Sequence, residues 1–173
     1  IFIKMNSFIF ATHNKHKVAE VKSLLANKFR ILSLKDAGID IDIPEPYNTL
    51  EENAFEKATV IHKLLNKDCF AEDTGLEVAS LNGEPGVKSA RYAGNDRSFE
   101  NNIDKLLGNL KNKKNRNAQF RTVICLIING NTAVLHQFLH TWQARSVGHI
   151  PAHASEHDFQ RVVKPFENLA QAT

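Results

Sequence analysis

Apolar residues follow two kinds of spacing along this chain, one typical of strands and one typical of helices. Compact apolar runs at residues 7–11, 29–34 and 69–71 predict short strands. Between and after them, apolar residues recur every three or four positions, as they do on the buried face of a helix. The three helical sets are Val18, Val21, Leu24 and Leu25; Leu50, Ala54, Ala58, Ile61 and Leu65; and Phe99, Ile103, Leu106 and Leu110. Strands that alternate with helices predict an α/β domain.

Polar residues mark the starts of these helices. Asn14 and Ser98 are suited to cap the first and third helix, because their side chains accept hydrogen bonds from free backbone N–H groups. Thr49 followed by Glu52 fits a capping box at the start of the second helix.

The last third of the chain has a different pattern. Residues 120–128 are almost all apolar and many are β-branched, which predicts a strand covered on both faces. The Asn129-Gly130 pair predicts a tight hairpin turn into another strand over residues 132–138. A hairpin added to alternating strands and helices predicts a mixed central sheet flanked by helices.

Composition narrows the class of protein. The 173 residues suit a single domain, and 42% apolar with 24% charged residues is ordinary for a globular protein. A net charge of +3 is too balanced to favour a nucleic-acid or membrane surface, and no apolar run approaches the ~20 residues of a spanning helix. Cys69 and Cys125 both lie in apolar runs, which favours buried thiols in a reducing cytoplasm over a disulfide.

Acidic residues occur at three separate places. Glu45 lies between two prolines, Glu51 and Glu52 open the second predicted helix, and Glu72 and Asp73 directly follow the third apolar run. Because that strand is expected to end just before Glu72, both acids should border a cleft. Carboxylates converging from separate elements are typical of Mg²⁺ sites. For Glu51 and Glu52 the alternative is compensation of the helix dipole.

Residues 12–17, Thr-His-Asn-Lys-His-Lys, lie at a strand-to-helix junction. A hydroxyl, an amide and cations beside free N–H groups could bind phosphate, although the glycines of a P-loop are missing. The alternative is a polar helix start with surface lysines. Arg91, in the glycine-bearing loop of residues 82–94, leaves a similar choice open between a phosphate and an acidic partner.

Four segments together resemble a known family. They are THNKHK, TLEENAFEKA, AEDTGLEVASLNGEPGVKSARYAG and FRTVICLI, in this order within residues 6–138. The chain is similar to the inosine triphosphate pyrophosphatase family, the Ham1/RdgB-type nucleotide hydrolases. The resemblance implies a fold of two lobes with a cleft between them.

The resemblance also implies roles for individual residues. The phosphate-binding residues would be Thr12, Asn14 and Lys17, and the substrate-contacting hydroxyl would be Thr74, where the family commonly has serine. The Mg²⁺ carboxylates would be Glu45 and Asp73, with Glu52 as a secondary candidate. Asp73 would also be the catalytic general base.

The implied activity is Mg²⁺-dependent hydrolysis of ITP, dITP and XTP to the monophosphate and pyrophosphate, which removes damaged nucleotides. The implied partner is a purine nucleoside triphosphate, and neither a nucleic acid nor a membrane is expected. The family further implies a homodimer, and the two cysteines in apolar runs favour the cytoplasm. The alternative is a catalytically impaired, nucleotide-binding member of the same family.

The tail departs from the family pattern. We treat residues 1–173 as one domain in which 139–173 are atypical, because the expected Phe-Gly-Tyr-Asp segment, lysine and Ser-His-Arg element are missing. A reading-frame slip near Phe138, which would leave the tail out of frame or disordered, and real divergence both explain this. Base specificity therefore stays open.

The tail also contains histidines spaced four residues apart: His136 and His140, and then His149, His153 and His157. This spacing could place imidazoles on one helical face as a transition-metal site. Gly148 and Pro151 interrupt such a helix, so incidental histidines are the alternative.

Overall fold

The computed structural model describes residues 6–143, with side chains as far as residue 135. The elements of this part are β1 (Ser7–Phe10), α1 (Lys15–Leu25), β2 (Arg30–Ser33), α2 (Leu50–Leu65), β3 (Cys69–Val78), β4 (Pro85–Gly86), α3 (Phe99–Leu110), β5 (Asn117–Ile128) and β6 (Asn131–Gln143). The sheet order is β2-β1-β3-β5-β6, with β4 paired to β3. β1 pairs in parallel with β2 and β3, whereas β3, β5 and β6 pair antiparallel. The predicted mixed sheet is confirmed.

The three predicted helix caps are confirmed. The Asn14 side chain accepts hydrogen bonds from two backbone N–H groups of the first turn of α1. Thr49 accepts the N–H of Glu52 at 3.2 Å and donates its hydroxyl to the Glu52 carboxylate at 2.6 Å. Ser98 accepts the N–H of Asn101 at the start of α3.

β3 is longer than the sequence pattern predicts. The prediction that the strand ends at Ala71 is wrong, because β3 continues to Val78. Each of its residues pairs with β5, from Cys69 opposite Ile127 to Val78 opposite Ala118. The long apolar β5 thus supplies backbone partners beyond the point where the composition of β3 becomes turn-like. The two adjacent acids therefore lie within a strand and project from opposite faces.

Two hydrophobic clusters cover the two faces of the sheet. The cluster under α2 contains Ile9, Ala54, Ile61, Val123 and both cysteines, and the cluster under α1 contains Phe8, Phe10, Val21, Phe70 and Leu126. Cys69 and Cys125 are free and buried, as predicted. With apolar layers on both sides, the predicted double coverage of β5 is also confirmed.

A third cluster lies at the other end of β3 and β5. It joins Val78 and Tyr92 to Leu106 and Leu110 of α3, and we call this part the smaller lobe. Phe99 was also predicted to face inward, but it is 62% exposed. The reason is its position in the first turn of α3, whereas the cluster is formed by the later turns.

The β5–β6 connection is the predicted two-residue turn. Ile128 pairs with Asn131, and the intervening Asn129 and Gly130 have φ values of 49° and 78°, as a tight hairpin requires. Predictions for the tail beyond residue 143, and for the side chains of His136, His140 and Trp142, lie outside the described residues. Within the described part, no helix is both long and apolar enough to cross a bilayer.

Candidate active site

The predicted site residues converge where β3 extends past the end of β1. β1 pairs with β3 only through Cys69 and Phe70, and β4 pairs with β3 through Leu76 and Glu77. Among the described strands, residues 71–75 therefore have a sheet partner on the β5 side alone. We call this stretch the edge gap. It lies at the carboxyl ends of the parallel strands, where α/β folds usually bind ligands.

On the α2 face of the edge gap, two acids share one cation. Lys57 Nζ donates hydrogen bonds to Glu45 Oε1 at 2.7 Å and to Asp73 Oδ1 at 3.3 Å. Because both carboxylate oxygens are bonded to the same nitrogen, they are at most about 6 Å apart. The Lys57 and Asp73 side chains are only 10% and 14% exposed. The two carboxylates predicted to hold a metal ion therefore do converge on a single positive charge.

Burial and neighbouring charges set the protonation of this cluster. Burial raises the pKa of Asp73, and the Glu45 carboxylate adds to this while Lys57 opposes it, so the pKa lies above its usual 3.8. Burial also acts to raise the pKa of Glu45, but the hydrogen bond and charge of Lys57 outweigh it and the pKa falls below 4.5. Burial and the neighbouring charges thus shift the two carboxyl pKa values in opposite directions from their usual values.

The same balance keeps Lys57 charged. Burial acts to lower the pKa of its ammonium, but the charges of Asp73 and Glu45 outweigh burial and the pKa lies above 10.5. On the outer side of the cluster, an Arg91 guanidinium nitrogen lies 3.6 Å from Glu45 Oε2. Of the two alternatives left open for Arg91, the structure contains the pairing with an acid.

On the opposite face of the edge gap, Glu72 links α1 to the sheet. Its carboxylate accepts a hydrogen bond from Lys17 and another from the Thr74 hydroxyl at 2.8 Å. The Thr74 oxygen also lies 2.8 Å from the hydroxyl oxygen of Thr122 on β5. Lys17 and Thr74, both predicted to contact substrate, are therefore joined through one acid.

The other predicted phosphate-binding residues form the turn before α1. Asn14 donates its backbone N–H to the Thr12 hydroxyl at 3.2 Å, while its side chain caps the helix. The neighbouring His13 bonds through Nε2 to the Ile41 carbonyl oxygen at 2.6 Å. This contact ties the turn to the loop that carries Glu45. The capping alternative for Asn14 is thus realised, in the turn between β1 and Lys17 of α1.

The two acids at the start of α2 have separate partners. Glu52 is exposed and bonded to Thr49, and Glu51 is paired with Arg121, which also bonds Glu77 at 2.7 Å. Glu52 is thus held in its capping box instead of on Lys57. No group of three or more acidic, histidine or cysteine side chains in the described part of the chain could hold a metal ion. The structure therefore brings Glu45 and Asp73 together and leaves Glu52 apart.

Sequence reasoning did not single out two residues of this site. Lys57 lies on the apolar stripe of α2, three residues after Ala54 and four before Ile61, and a cation at such a position was the available signal. Thr122 is a hydroxyl inside the apolar run of β5 and is 7% exposed. A polar residue inside a strand that is covered on both faces needs a partner, which here is Thr74.

Comparison with known proteins gives a consistent result. A model of the Ham1 family matches residues 8–160. The dITP/XTP pyrophosphatase of Flavobacterium psychrophilum is 56% identical over 121 residues, and that of Flavobacterium johnsoniae is 52% identical over 122. Each alignment covers 70% of this chain and 64% of the relative, so the chain spans less than two thirds of the length of these curated relatives.

Solved structures resemble the fold closely. The Ham1 protein of Staphylococcus aureus has a TM-score of 0.71 at 38% identity, covering 78% of this chain and 70% of that one. The nucleoside-triphosphatase / dITP/XTP pyrophosphatase of Mycobacterium abscessus has a TM-score of 0.70 at 25% identity, covering 96% and 98%.

Proposed function

This chain belongs to the Ham1 family, and we propose from that premise that it is a nucleoside triphosphate pyrophosphatase. It cleaves ITP, dITP and XTP to the monophosphate and pyrophosphate, and so removes damaged purine nucleotides. The observation that carries this proposal is the convergence of Glu45 and Asp73 on the position of the Lys57 ammonium. Relatives named dITP/XTP pyrophosphatase at up to 56% identity support the choice of substrate class.

Mg²⁺ is the proposed cofactor, held by Glu45 and Asp73. The donor set fits this ion, because Mg²⁺ in phosphate chemistry uses one or two protein carboxylates and takes its other ligands from water and substrate. When bound, the ion would supply positive charge that neutralises phosphate oxygens and lowers the pKa of water. Glu52 is left as a secondary candidate, since its carboxylate is bonded to Thr49.

Asp73 is the proposed general base. Its raised pKa makes it a better proton acceptor than an exposed aspartate, while the Lys57 ammonium beside it favours the ionised form. A base of this kind takes the proton of the attacking water as the water oxygen bonds to phosphorus and the bond to the leaving pyrophosphate breaks.

The triphosphate would lie against the α1 side of the edge gap. Lys17 supplies a compact charge and exchanges its bond to Glu72 for phosphate oxygens. The Thr74 hydroxyl donates to the same oxygens. Thr12 and Asn14, the other proposed phosphate-binding residues, lie in the turn that leads into Lys17 and is held by their own hydrogen bonds.

We also propose that the protein is a homodimer and that it works in the cytoplasm. Its proposed partner is a purine nucleoside triphosphate, and neither a nucleic acid nor a membrane is part of the proposal. The family resemblance supports the dimer, and the buried free thiols suit a reducing compartment. Light scattering of the purified chain at micromolar concentration measures the oligomeric state, and a single monomeric species would overturn the dimer.

The test of the activity is pyrophosphate release from ITP, dITP, XTP, ATP and GTP, with Mg²⁺ and then with a chelator. We expect Mg²⁺-dependent release that favours the three deaminated nucleotides. Asp73→Asn and Lys17→Ala should lower it, while the exposed Asp104→Asn and Lys63→Ala serve as matched controls. The proposal fails if no nucleotide is cleaved, or if neither site variant changes the rate. Calorimetry with a non-hydrolysable ITP analogue then identifies a nucleotide-binding member without catalysis.

A further inference from the structure

A chain of hydrogen bonds runs from β5 to α1 across the edge gap. Thr122 and Thr74 are opposite each other on antiparallel strands, and their hydroxyl oxygens are 2.8 Å apart. Thr74 continues the chain to Glu72 at 2.8 Å, and Glu72 is bonded to Lys17. Thr122 is the buried end of this chain and Lys17 is the end nearer solvent.

The number of protons available fixes which group donates in each of these hydrogen bonds. The Glu72 carboxylate accepts hydrogen bonds from both Lys17 and Thr74, so the single proton of the Thr74 hydroxyl points to it. In the Thr122–Thr74 pair the donor must then be Thr122. The Thr74 oxygen therefore receives one hydrogen bond from the buried side and gives one towards the side where Lys17 lies.

We propose that Thr122 is a positioning residue, whose hydroxyl holds the Thr74 oxygen in the orientation that serves substrate. This inference rests on the proposed function, because it assigns Thr74 to the phosphates. A phosphate oxygen is an acceptor, so Thr74 must turn its proton from Glu72 to the nucleotide. The bond from Thr122 does not have to break for this, and it keeps the oxygen in place while the proton changes partner.

Two substitutions at residue 122 can separate this role from ordinary packing. Valine has nearly the same shape as threonine and suits a strand, so Thr122→Val removes the donor while the β3–β5 pairing is kept. Serine keeps the donor. If Thr122 acts through Thr74, then removing both hydroxyls should cost no more than removing the Thr74 hydroxyl alone.

The experiment is a double-mutant cycle of Thr122→Val and Thr74→Val, with Thr122→Ser as the rescue variant and the exposed Thr132→Val as a matched control. Affinity for a non-hydrolysable ITP analogue is measured by calorimetry with Mg²⁺, and KM and kcat are measured by pyrophosphate release. We expect Thr122→Val to weaken binding about fivefold, the effect of one neutral hydrogen bond, and Thr122→Ser to restore it. We expect Thr122→Val to have no further effect in the Thr74→Val background.

Equal weakening by Thr122→Val in both backgrounds would overturn the proposal, because Thr122 would then act without Thr74. Failure of Thr122→Ser to restore binding would do the same. If the wild-type chain binds the analogue without cleaving any nucleotide, the proposed activity fails while the cycle still decides the role of Thr122. If the wild-type chain does not bind, both proposals are overturned.

Discussion

Glu72 and Asp73 are adjacent in the chain, but their carboxylates lie on opposite faces of β3, one bonded to Lys17 and the other to Lys57. The candidate site is therefore arranged around an edge of the sheet instead of on one face. Because β1 ends before this point, both carboxylates lie at the same gap in the sheet. One short segment of strand can thus supply a phosphate-binding partner on one side and a proton acceptor on the other.

Asp73→Asn should reduce turnover far more than nucleotide affinity. The amide cannot accept the proton of water and loses the charge proposed to hold Mg²⁺, so kcat should fall by about 10²–10⁴. Steady-state kinetics with ITP measures kcat and KM separately, and Asp104→Asn is the control. A variant with unchanged kcat but a large loss of stability would identify Asp73 as a structural acid.

Lys57→Met should destabilise the fold. The side chain is 10% exposed and neutralises two acids, so its loss leaves unpaired negative charge in a largely buried place. We expect the free energy of unfolding near neutral pH to fall by about 3 kcal/mol, measured by urea denaturation. Lys63→Met, at an exposed position of the same helix, should change it little.

The pH dependence of that destabilisation has a definite sign. The pKa of Glu45 is lowered in the folded state, so the stability it contributes is present above 4.5 and is lost as pH falls through the folded value. The pKa of Lys57 is raised, so its contribution is present below 10.5 and is lost as pH rises through the folded value. The deficit of Lys57→Met should therefore shrink towards both extremes, and a deficit independent of pH would contradict the ion-pair account.

Lys57 should also control the protonation of Asp73. The ammonium is the neighbour that opposes the effect of burial, so Lys57→Met should move the pKa of Asp73 further above 3.8. Titration of the ¹³C-labelled carboxyl groups by NMR follows this directly and does not depend on activity. In the wild-type chain, the acid limb of kcat/KM should follow the same group and disappear in Asp73→Asn.

Gly75→Ala should be poorly tolerated, whereas Gly108→Ala should be mildly stabilising. A Cβ atom at residue 75 would lie 2.6 Å from the backbone oxygen of Gly86, so β4 would have to move away from β3. At residue 108 on α3, a Cβ atom meets nothing within 4 Å, and alanine favours the helix by up to about 1 kcal/mol. Thermal unfolding of the two variants should shift Tm in opposite directions, and equal shifts would contradict the close approach of the two strands.

Cys69 and Cys125 should be unreactive in the folded protein. Burial raises the pKa of the Cys69 thiol to about 12 and that of Cys125 to about 11, so the reactive thiolate is scarce at neutral pH. A chromogenic thiol reagent should label neither residue within minutes in buffer and both in concentrated urea. Rapid labelling of native protein would show that the core under α2 opens easily.

The sequence pattern correctly predicted those features that depend only on residues close together in the chain. The caps at Asn14 and Thr49 and the turn at Asn129-Gly130 depend on neighbouring residues, and all three are present as expected. The continuation of β3 through Asp73 could not be predicted in this way, since its cause is backbone pairing with β5, some 50 residues further along the chain. The cation between the two acids was missed for a similar reason, because only the packing of α2 on the sheet brings Lys57 to them.

The pairing of β3 with β5 makes the length of the segment before the acids as important as its composition. Side chains alternate along a strand with a period of two, so inserting or deleting one residue between Cys69 and Glu72 would exchange the directions in which the two carboxylates point. Substitutions there would change one contact at a time, but a single-codon insertion or deletion would reverse both acids at once. Related chains that have the proposed activity should therefore vary in the residues of this segment while keeping its spacing constant.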